Sequence, residues 1–328
     1  MQESWHSTFN GGEVMKLKIV GTGSYLPDEL LTNEDLEGMV ETSDEWITTR
    51  TGIKERHIAH EERTSHMAIE AARRALADAK LDPKELGAVF CTTVTPDEIC
   101  PFLAAYVAGA IGAECMAMDI NAACSGFVYG LWTAAAHMSL CPKPVLVIGA
   151  EHLTRLVDFT DRSTCVLFGD GAGAVVAVPE EGMLGCKLIC EEDKDGSLVI
   201  PGVNHQMDGQ LLSSYLQMNG QAVYRFATTV MPKMVQAVAK EGGVDLDDVR
   251  WIVPHQANIR IIETSARRLK LPMDRFFVNI QHVGNTSSAS VPIALDALNK
   301  KGLIESGDLV ILAAFGGGFT AASALLRW

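Results

Sequence analysis

The chain has 328 residues, 48% of them hydrophobic, and its formal net charge at pH 7 is −14. A chain of this length can bury one large core or two ordinary ones. The acidic balance argues against a nucleic-acid-binding surface, and no apolar run approaches the roughly 20 residues that span a bilayer. We therefore expect a globular protein that binds neither nucleic acid nor membrane.

The N-terminal residues 1–14 are polar, contain a Gly-Gly pair and precede Met15, so we interpret them as an extension outside the fold. They lack a basic segment followed by an apolar one, which predicts no export signal. The eight cysteines are scattered without metal-ligand spacing. This pattern favours reduced thiols, no bound metal and a cytoplasmic location.

One pattern of elements occurs twice along the chain: a helix, an acidic turn and three strands in the same order. Positions 81 and 244 align, so the two copies are 163 residues apart (244 − 81). The matching segments are helices 65–80 and 221–241, turns 81–86 and 244–249, and strands 88–93 and 251–254, 116–120 and 276–280, and 145–149 and 309–313.

Alternating strands and helices of this kind predict an α/β fold with largely parallel strands, and the duplication predicts two packed units. We divide the chain into the extension 1–14, an N-terminal half 15–185 and a C-terminal half 186–328. Ligand sites commonly lie at the carboxyl ends of parallel strands, so the strand-end loops of both halves are expected to meet at one crevice.

Cys124 follows the predicted strand 116–120 and stands among small residues where a helix begins. The unpaired N–H groups and the positive end of a helix dipole favour a thiolate, so we expect a lowered pKa and a nucleophile. A free cysteine that merely fills the core is the ordinary alternative. The residues at other strand ends decide between the two.

His255 follows the strand 251–254, before the predicted amphipathic helix 259–269, and Asn285 lies in a Gly-Asn turn. A lone His is commonly structural and an Asn beside Gly is commonly turn chemistry, but the repeat directs both toward the crevice of Cys124. The loop 314–320 contains three glycines and no following Lys-Ser/Thr, so a backbone oxyanion donor is favoured over a phosphate loop.

A Cys, a His and an Asn at one crevice indicate acyl transfer, in which a thiolate attacks a thioester and N–H groups hold the oxyanion. A papain-like hydrolase uses similar residues, but Cys124 lies far from the N-terminus and lacks that family's flanking pattern. A catalytically silent binding protein is a third reading, against which the intact trio argues.

Several motifs carry a family resemblance: residues 21–27 (Gly-Thr-Gly-Ser-Tyr-Leu-Pro), 42–47 (Thr-Ser-Asp-Glu-Trp-Ile), 49–53 (Thr-Arg-Thr-Gly-Ile), 168–174 (Phe-Gly-Asp-Gly-Ala-Gly-Ala) and 315–320 (Phe-Gly-Gly-Gly-Phe-Thr). With the segments of Cys124, His255 and Asn285, the chain from Met15 to Trp328 resembles the 3-oxoacyl-[acyl-carrier-protein] synthase III family of the thiolase-like superfamily. The resemblance implies an internally duplicated, five-layered α-β-α-β-α architecture. It also implies the condensing activity that initiates fatty-acid synthesis from an acyl-CoA primer and malonyl-acyl carrier protein, without a metal or other cofactor.

The resemblance implies a role for each matched residue. Cys124 would be acylated, while His255 and Asn285 would hydrogen-bond the malonyl thioester carbonyl during decarboxylation. The backbone N–H groups of Cys124 and Gly317 would form the oxyanion hole. The matched coenzyme A contacts are Trp46 and Arg162 at the adenine, Arg50 near the phosphates, and Gly220 and Asn258 at the pantetheine arm; Phe315 would lie near the nucleophile.

The chain departs from the family pattern at three places. Residues 1–14 have no counterpart, and Ala321-Ala322 replace a common Trp-Gly pair. Cys100 stands where a Phe or Thr from the partner subunit closes the acyl pocket, so the resemblance implies a homodimer and leaves the primer length open. A related condensing enzyme or acyltransferase of a specialised pathway is the alternative within enzymes.

An acidic carrier protein must dock on a chain that is itself acidic, so recognition needs a local basic patch. Arg260, Arg267 and Arg268 are spaced i, i+7 and i+8 along the predicted helix 259–269. That spacing predicts one helical face, which the resemblance puts beside the mouth of the active site. An ordinary solvated helix face is the alternative.

Overall fold

The structure is a computed structural model that describes residues 15–202, 206–207, 210–211 and 214–328; the predicted extension 1–14 lies outside the described residues. The strands are β1 Met15–Tyr25, β2 Leu30–Thr32, β3 Glu55–His57, β4 Ala88–Thr92, β5 Met116–Ile120, β6 Val145–Glu151, β7 Gly171–Cys190, β8 Leu198–Val199, β9 Gln206–Met207, β10 Gln210–Leu211, β11 Gln217–Met218, β12 Trp251–Pro254, β13 Leu309–Gly316 and β14 Thr320–Arg327. The helices are α1 Asn33–Glu37, α2 Asp44–Thr51, α3 Thr64–Ala79, α4 Leu103–Ile111, α5 Gly126–Leu140, α6 Arg162–Cys165, α7 Gly220–Glu241, α8 Ile259–Leu269, α9 Ile280–Val283 and α10 Ser290–Lys300.

The long strand β7 connects the two halves of the molecule. The main sheet runs in the order β12-β13-β14-β7-β6-β4-β5, with β1 also paired to β7. The first part of β7 pairs with β6 and β1, and its last part pairs with β14. The division between residues 185 and 186 falls inside β7 and stays a prediction.

Strand direction differs from the sequence expectation in part. Parallel pairing is confirmed for β4 with β5 and β6, and for β12 with β13. β7 and β14, however, are antiparallel to each other, and their other neighbours β6 and β13 also run antiparallel to them. The prediction of largely parallel strands is wrong here because adjacent strands connected directly along the chain, such as β13 and β14, need no helical crossover.

Three hydrophobic clusters define the layers. One cluster lies between α3 and α4 and the strands β4, β6 and β7. A second lies between α7 and α8 and the strands β12, β13 and β14. The third and central cluster contains α5 and α10 with strands of both halves. The five-layered α-β-α-β-α prediction is confirmed.

The predicted repeat is found in all but one of its segments. α3 and α7 are the matching helices, and β4 and β12, and β6 and β13, are matching strands. The predicted strand 276–280 is wrong: it forms a single bridge at Phe276 before α9 begins at Ile280. The side chain of Gln256 bonds the carbonyl of Phe277 at 3.1 Å and the N–H of Asn279 at 3.2 Å, so a side chain satisfies groups that a strand ladder would use.

Candidate active site

Cys124 lies between β5 and α5 in a short 3₁₀ turn, and its side chain is buried. Ala123 immediately before it has a φ of 48°, in the left-handed region that is unfavourable for a non-glycine residue. A Cβ atom on Gly316 would lie 2.6 Å from the backbone nitrogen of Cys124. Only glycine fits there, so the glycine loop after β13 packs directly against the backbone of the cysteine.

His255 follows the last residue of β12, as the sequence predicts. Its backbone N–H donates to the carbonyl of Ala313 in β13 at 2.8 Å, which continues the parallel pairing one residue further. Its buried ring meets the ring of Phe315 at a centroid distance of 5.2 Å. The Nδ1 atom is buried and has no hydrogen-bond partner among the described residues, which is uncommon for a buried polar atom.

Asn285 is held against the segment that precedes β7. Its N–H donates to the carbonyl of Leu167 at 2.9 Å, and its carbonyl accepts from the N–H of Gly169 at 3.1 Å. Its Oδ1 accepts from the N–H of Ser287 at 2.9 Å. A residue of the second half is therefore fixed by backbone of the first half.

Cys124, His255 and Asn285 line one cavity of about 840 Å³. The sequence-predicted residues that line the same cavity are Trp46, Arg50, Arg162, Gly220, Asn258, Arg260 and Phe315.

Trp46 lines this cavity and has two arginines close to its ring. The guanidinium carbons of Arg50 and Arg162 lie 5.7 Å and 4.9 Å from the centre of its ring. Asn258 donates from Nδ2 to the carbonyl of Arg50 at 3.0 Å, and its Oδ1 caps α8 at the N–H of Arg260 at 2.9 Å. An aromatic face with adjacent guanidinium groups suits a flat heterocycle with phosphates.

A second cavity of about 760 Å³ also reaches Cys124. Gly317 lines this one, and the apolar side chains around it include Val94, Leu153, Leu156, Ile200 and Leu216. The thiol therefore lies at the junction of an arginine-rimmed cavity and a largely aliphatic one.

Cys100 lines neither of these two cavities within its own chain and is exposed. Its predicted contribution to the acyl pocket of a partner subunit stays a prediction. Phe315, the other predicted pocket residue, lines the first cavity and contacts His255.

Burial sets the charge state of both central groups. It raises the pKa of the Cys124 thiol to about 12; a hydrogen bond with the Ser287 side chain opposes the shift, and the charge of Glu151 adds to it. The expected lowering of this pKa is wrong because desolvation outweighs the helix terminus. Burial lowers the pKa of His255 to about 3, so the thiol and the imidazole are both neutral at pH 7.

The three arginines of α8 are all exposed and differ in their contacts. Arg260 lines the first cavity, with its guanidinium carbon 5.8 Å from the ring centre of Tyr224. Arg267 donates to the hydroxyl of Thr264 in the same helix at 3.1 Å. Arg268 donates to the carbonyl of Thr228 in α7 at 2.7 Å. Their predicted role as a docking face for the carrier protein stays a prediction.

Three residues at the centre of the site were not singled out by the sequence: Glu151, Ser287 and Gly316. Ser287 stands two positions after Asn285, and Gly316 opens the glycine run. The sequence therefore identifies both motifs but carries no signal for a separate role of these two residues. Glu151 ends a buried strand, where a charged residue is itself a signal.

The eight cysteines are all free thiols. Within the described ranges, no group of three or more His, Cys, Asp or Glu residues could hold a metal ion. The absence of a metal or other cofactor from the reaction stays a prediction. No helix in the described part of the chain is both long enough and apolar enough to cross a membrane.

The fold and the buried Cys-His-Asn arrangement define a thiolase-like condensing enzyme. Residues 118–191 match the model described as 3-oxoacyl-[acyl-carrier-protein (ACP)] synthase III, and residues 239–328 match the C-terminal model of the same name. The chain belongs to the 3-oxoacyl-[acyl-carrier-protein] synthase III family.

Individual relatives agree over nearly the whole chain. Beta-ketoacyl-[acyl-carrier-protein] synthase III of Clostridium acetobutylicum is 44% identical over 95% of this chain and 98% of its own length. The enzyme of that name from Xylella fastidiosa (strain Temecula1) is 48% identical over 95% and 98%. The crystal structure of 3-oxoacyl-[acyl-carrier-protein] synthase III from Aquifex aeolicus VF5 is 45% identical, covers 95% of this chain and 100% of its own, and has a TM-score of 0.89.

Proposed function

We propose that this chain catalyses a decarboxylative Claisen condensation between an acyl-CoA primer and malonyl-acyl carrier protein, the step that initiates fatty-acid synthesis. One observation carries the proposal: Cys124, His255 and Asn285 come from three separate segments and line one cavity. The synthase III names of relatives at 44% and 48% identity support this reading. A specialised-pathway enzyme is not favoured.

In the first half-reaction the sulfur of Cys124 attacks the thioester carbon of the primer. The new S–C bond forms, the bond to coenzyme A breaks, and the proton of the thiol ends on the departing coenzyme A. The N–H groups of Cys124 and Gly317 are the proposed donors to the tetrahedral oxyanion. The aliphatic cavity at Cys124 suits the acyl chain.

In the second half-reaction the malonyl group loses carbon dioxide, and the electron pair of the broken C–C bond forms an enolate. The enolate oxygen accepts hydrogen bonds from His255 and Asn285. Its carbon then attacks the acyl group on Cys124, whose sulfur leaves. The lowered pKa of His255 supports this role, because a neutral imidazole donates one N–H without adding a full charge.

The substrates differ in how they reach the site. Coenzyme A is expected at Trp46, Arg50 and Arg162, with its pantetheine arm along Gly220 and Asn258. Acyl carrier protein is expected at Arg260 and Arg267, and the position of Arg268 against α7 makes its part smaller. We also propose a homodimer, because β5 forms an edge of the sheet within one chain.

Intact-mass measurement after incubation with a panel of acyl-CoAs tests the proposal. The wild-type chain should gain one acyl group and release a 3-oxoacyl product only when malonyl-acyl carrier protein is added. Cys124→Ala should gain none, whereas Cys186→Ala, which alters a buried thiol in β7, should load normally. An acylated Cys124→Ala chain, or free acid release without the malonyl substrate, would overturn the proposal.

A further inference from the structure

Glu151, the last residue of β6, is a fully buried carboxylate without a role in the reaction described above (0% exposed). Burial raises its pKa above the usual carboxyl value, and hydrogen bonds from Thr95, Ser288 and Val94 partly oppose this rise. An ionised carboxylate is expensive inside a protein unless donors surround it. Its Oε1 accepts from Ser288 Oγ at 2.7 Å, Val94 N at 3.2 Å and Ser288 N at 3.4 Å, and its Oε2 from Thr95 Oγ1 at 2.6 Å, Val94 N at 3.1 Å and Thr93 Oγ1 at 3.3 Å.

These donors belong to two segments that are distant in sequence. Val94 and Thr95 follow β4 and line the aliphatic cavity at Cys124. Ser288 belongs to the turn after Asn285, and its one hydroxyl proton is shared between Glu151 Oε1 and the carbonyl of Thr92, which lies 2.8 Å away. Glu151 therefore joins a wall of the cavity in the first half to the turn that carries catalytic groups of the second half.

The turn comes unusually close to β6. A Cβ atom on Gly149 would lie 2.4 Å from the carbonyl oxygen of Ser288, so only glycine fits at that position. Two residues further along β6, the carboxylate of Glu151 accepts a hydrogen bond from the hydroxyl of the same serine. The approach is thus fixed at two points along one strand.

Ser287 is the residue that this approach presents to the nucleophile. It is buried and lines the second cavity together with Cys124, and its hydroxyl acts to lower the pKa of the thiol. Its φ of 46° is in the left-handed region, which is strained for a non-glycine residue. Such a conformation persists only when its surroundings hold it, here through Asn285 Oδ1 and through the anchoring of Ser288 by Glu151.

We propose that Glu151 is a positioning residue for the nucleophile: its carboxylate anchors the Ser287-Ser288 turn so that the Ser287 hydroxyl stays on the sulfur of Cys124. The proposal rests on the proposed function in that Cys124 is the reacting group. It adds Glu151 as the residue that holds the Ser287-Ser288 turn of the second half against the Cys124 thiol of the first half.

A carboxylate that only supports the fold would act differently, and the chain offers a matched example. Asp296 in α10 is also buried and accepts hydroxyl hydrogen bonds, from Thr22 at 2.7 Å and Ser24 at 2.6 Å. It lines neither cavity that reaches Cys124. Asp296→Asn therefore controls for the loss of a buried carboxylate as such.

The test is a double-mutant cycle on the alkylation of Cys124 by iodoacetamide, followed by mass spectrometry of the peptide that contains it. Ser287→Ala should slow alkylation about tenfold, the effect of one hydrogen bond to a charged group. Glu151→Gln should slow it by less, because removal of the negative charge that raises the pKa of the Cys124 thiol partly offsets the loss of positioning. In the Ser287→Ala background, Glu151→Gln should cause no slowing, because its positioning effect passes through Ser287 and only the loss of charge, which favours the thiolate, remains. Asp296→Asn should leave the rate unchanged in both backgrounds.

Ser288→Ala, which removes one donor and leaves the carboxylate, should show the same dependence on Ser287 with a smaller effect. With acyl-CoA as the reagent, Glu151→Gln should lower the maximal acylation rate and leave the dissociation constant of acyl-CoA unchanged. Equal slowing by Glu151→Gln in both backgrounds, or no slowing in the wild type, would overturn the positioning role. Failure of acyl-CoA to load any variant, with the coupling in alkylation intact, would instead contradict only the proposed function.

Discussion

Cys124 in the first half and His255 in the second differ in how burial shifts the pKa of each side chain. Each follows the end of a strand and is itself buried, and desolvation moves the two pKa values in opposite directions, to about 12 and about 3. The outcome is nevertheless the same, since both groups lose their charged form. Strand ends determine where the groups lie, and burial determines how they are charged.

The halves also differ in the strand that precedes the site. In the first half β5 is intact and leads directly to Cys124, whereas its counterpart in the second half is reduced to one bridge at Phe276. The chain after Phe276 is free to leave the sheet, and Asn285 then pairs with backbone at Leu167 and Gly169. Loss of a strand in one copy is what brings the asparagine across to the other.

The largest effect that separates the halves is expected in the pH dependence of stability. The pKa of His255 is about 3 in the folded chain, against an ordinary value of 6.5. As the pH falls, the unfolded chain therefore binds a proton at this histidine before the folded chain does. Stability therefore falls as the pH drops from about 6.5 toward 3, by on the order of 5 kcal/mol for this group alone. Denaturant unfolding of the wild type and His255→Gln across this range measures the difference.

Carboxylates titrate over the same range, but they contribute to both proteins and cancel in the difference. An unchanged slope in His255→Gln would mean that the imidazole is not buried in its neutral form.

The next effect concerns the division of labour between the halves. His255→Ala and Asn285→Ala should each lower malonyl decarboxylation by about 10²–10³, the usual loss for one donor to a developing oxyanion. Loading of Cys124 should be spared, because both donors are assigned to the enolate. Quenched-flow loading and release of labelled carbon dioxide by preloaded enzyme measure the two steps separately; lost loading with normal decarboxylation would reverse the roles.

The sequence predicted the scaffold well because its signals are local. Helical periodicity and acidic turns identified α3 and α7, and short apolar runs identified β4, β6, β12 and β13. The failures involve interactions between distant segments. The segment at 276–280 looks like a strand until Gln256 takes its backbone groups, and the pKa of Cys124 depends on how completely the other half covers it.

The same difference between local signals and interactions of distant segments applies to the site. A strand-end position in a duplicated fold was enough to bring Cys124, His255 and Asn285 together, whereas Glu151 could not be connected to Ser288 from spacing alone, since 137 residues separate them. Likewise, helical spacing predicts the exposed face on which Arg268 lies, but not the hydrogen bond that its guanidinium donates to the carbonyl of Thr228 in α7.

A smaller effect is expected from charge reversal on α8, an outer helix of the second half. Arg260→Glu with Arg267→Glu should raise the Michaelis constant for malonyl-acyl carrier protein about tenfold, and more at low salt, where screening is weak. Acyl-CoA loading should change much less in Arg267→Glu alone, because Arg260 also lines the first cavity and Arg267 does not. The control is Lys80→Glu with Lys84→Glu, an equal charge change beyond α3 in the first half. Equal loss of both activities would show that α8 supports the fold and is not the docking face.

The smallest effect is expected at Cys100, which is exposed in its own chain and lines neither cavity at Cys124. In a homodimer its side chain would close the partner's acyl pocket, so Cys100→Phe should shift loading a few-fold toward acetyl-CoA because overpacking excludes longer chains. Cys100→Ser, similar in volume, should keep the wild-type chain-length profile. Light scattering that gives a monomer mass would remove the basis of this expectation.

Mixed dimers show which subunit the residue serves. When a chain with both Cys100→Phe and Cys124→Ala pairs with a wild-type chain, the surviving thiol faces the enlarged side chain, and its profile should shift toward acetyl. When Cys100→Phe and Cys124→Ala are on opposite chains, the surviving thiol belongs to the Cys100→Phe chain and faces an unaltered Cys100, so its profile should match the wild type. Identical profiles in the two mixtures would mean that Cys100 does not act across the subunit boundary, and the primer length would then be set by side chains of the second cavity such as Leu156 and Leu216.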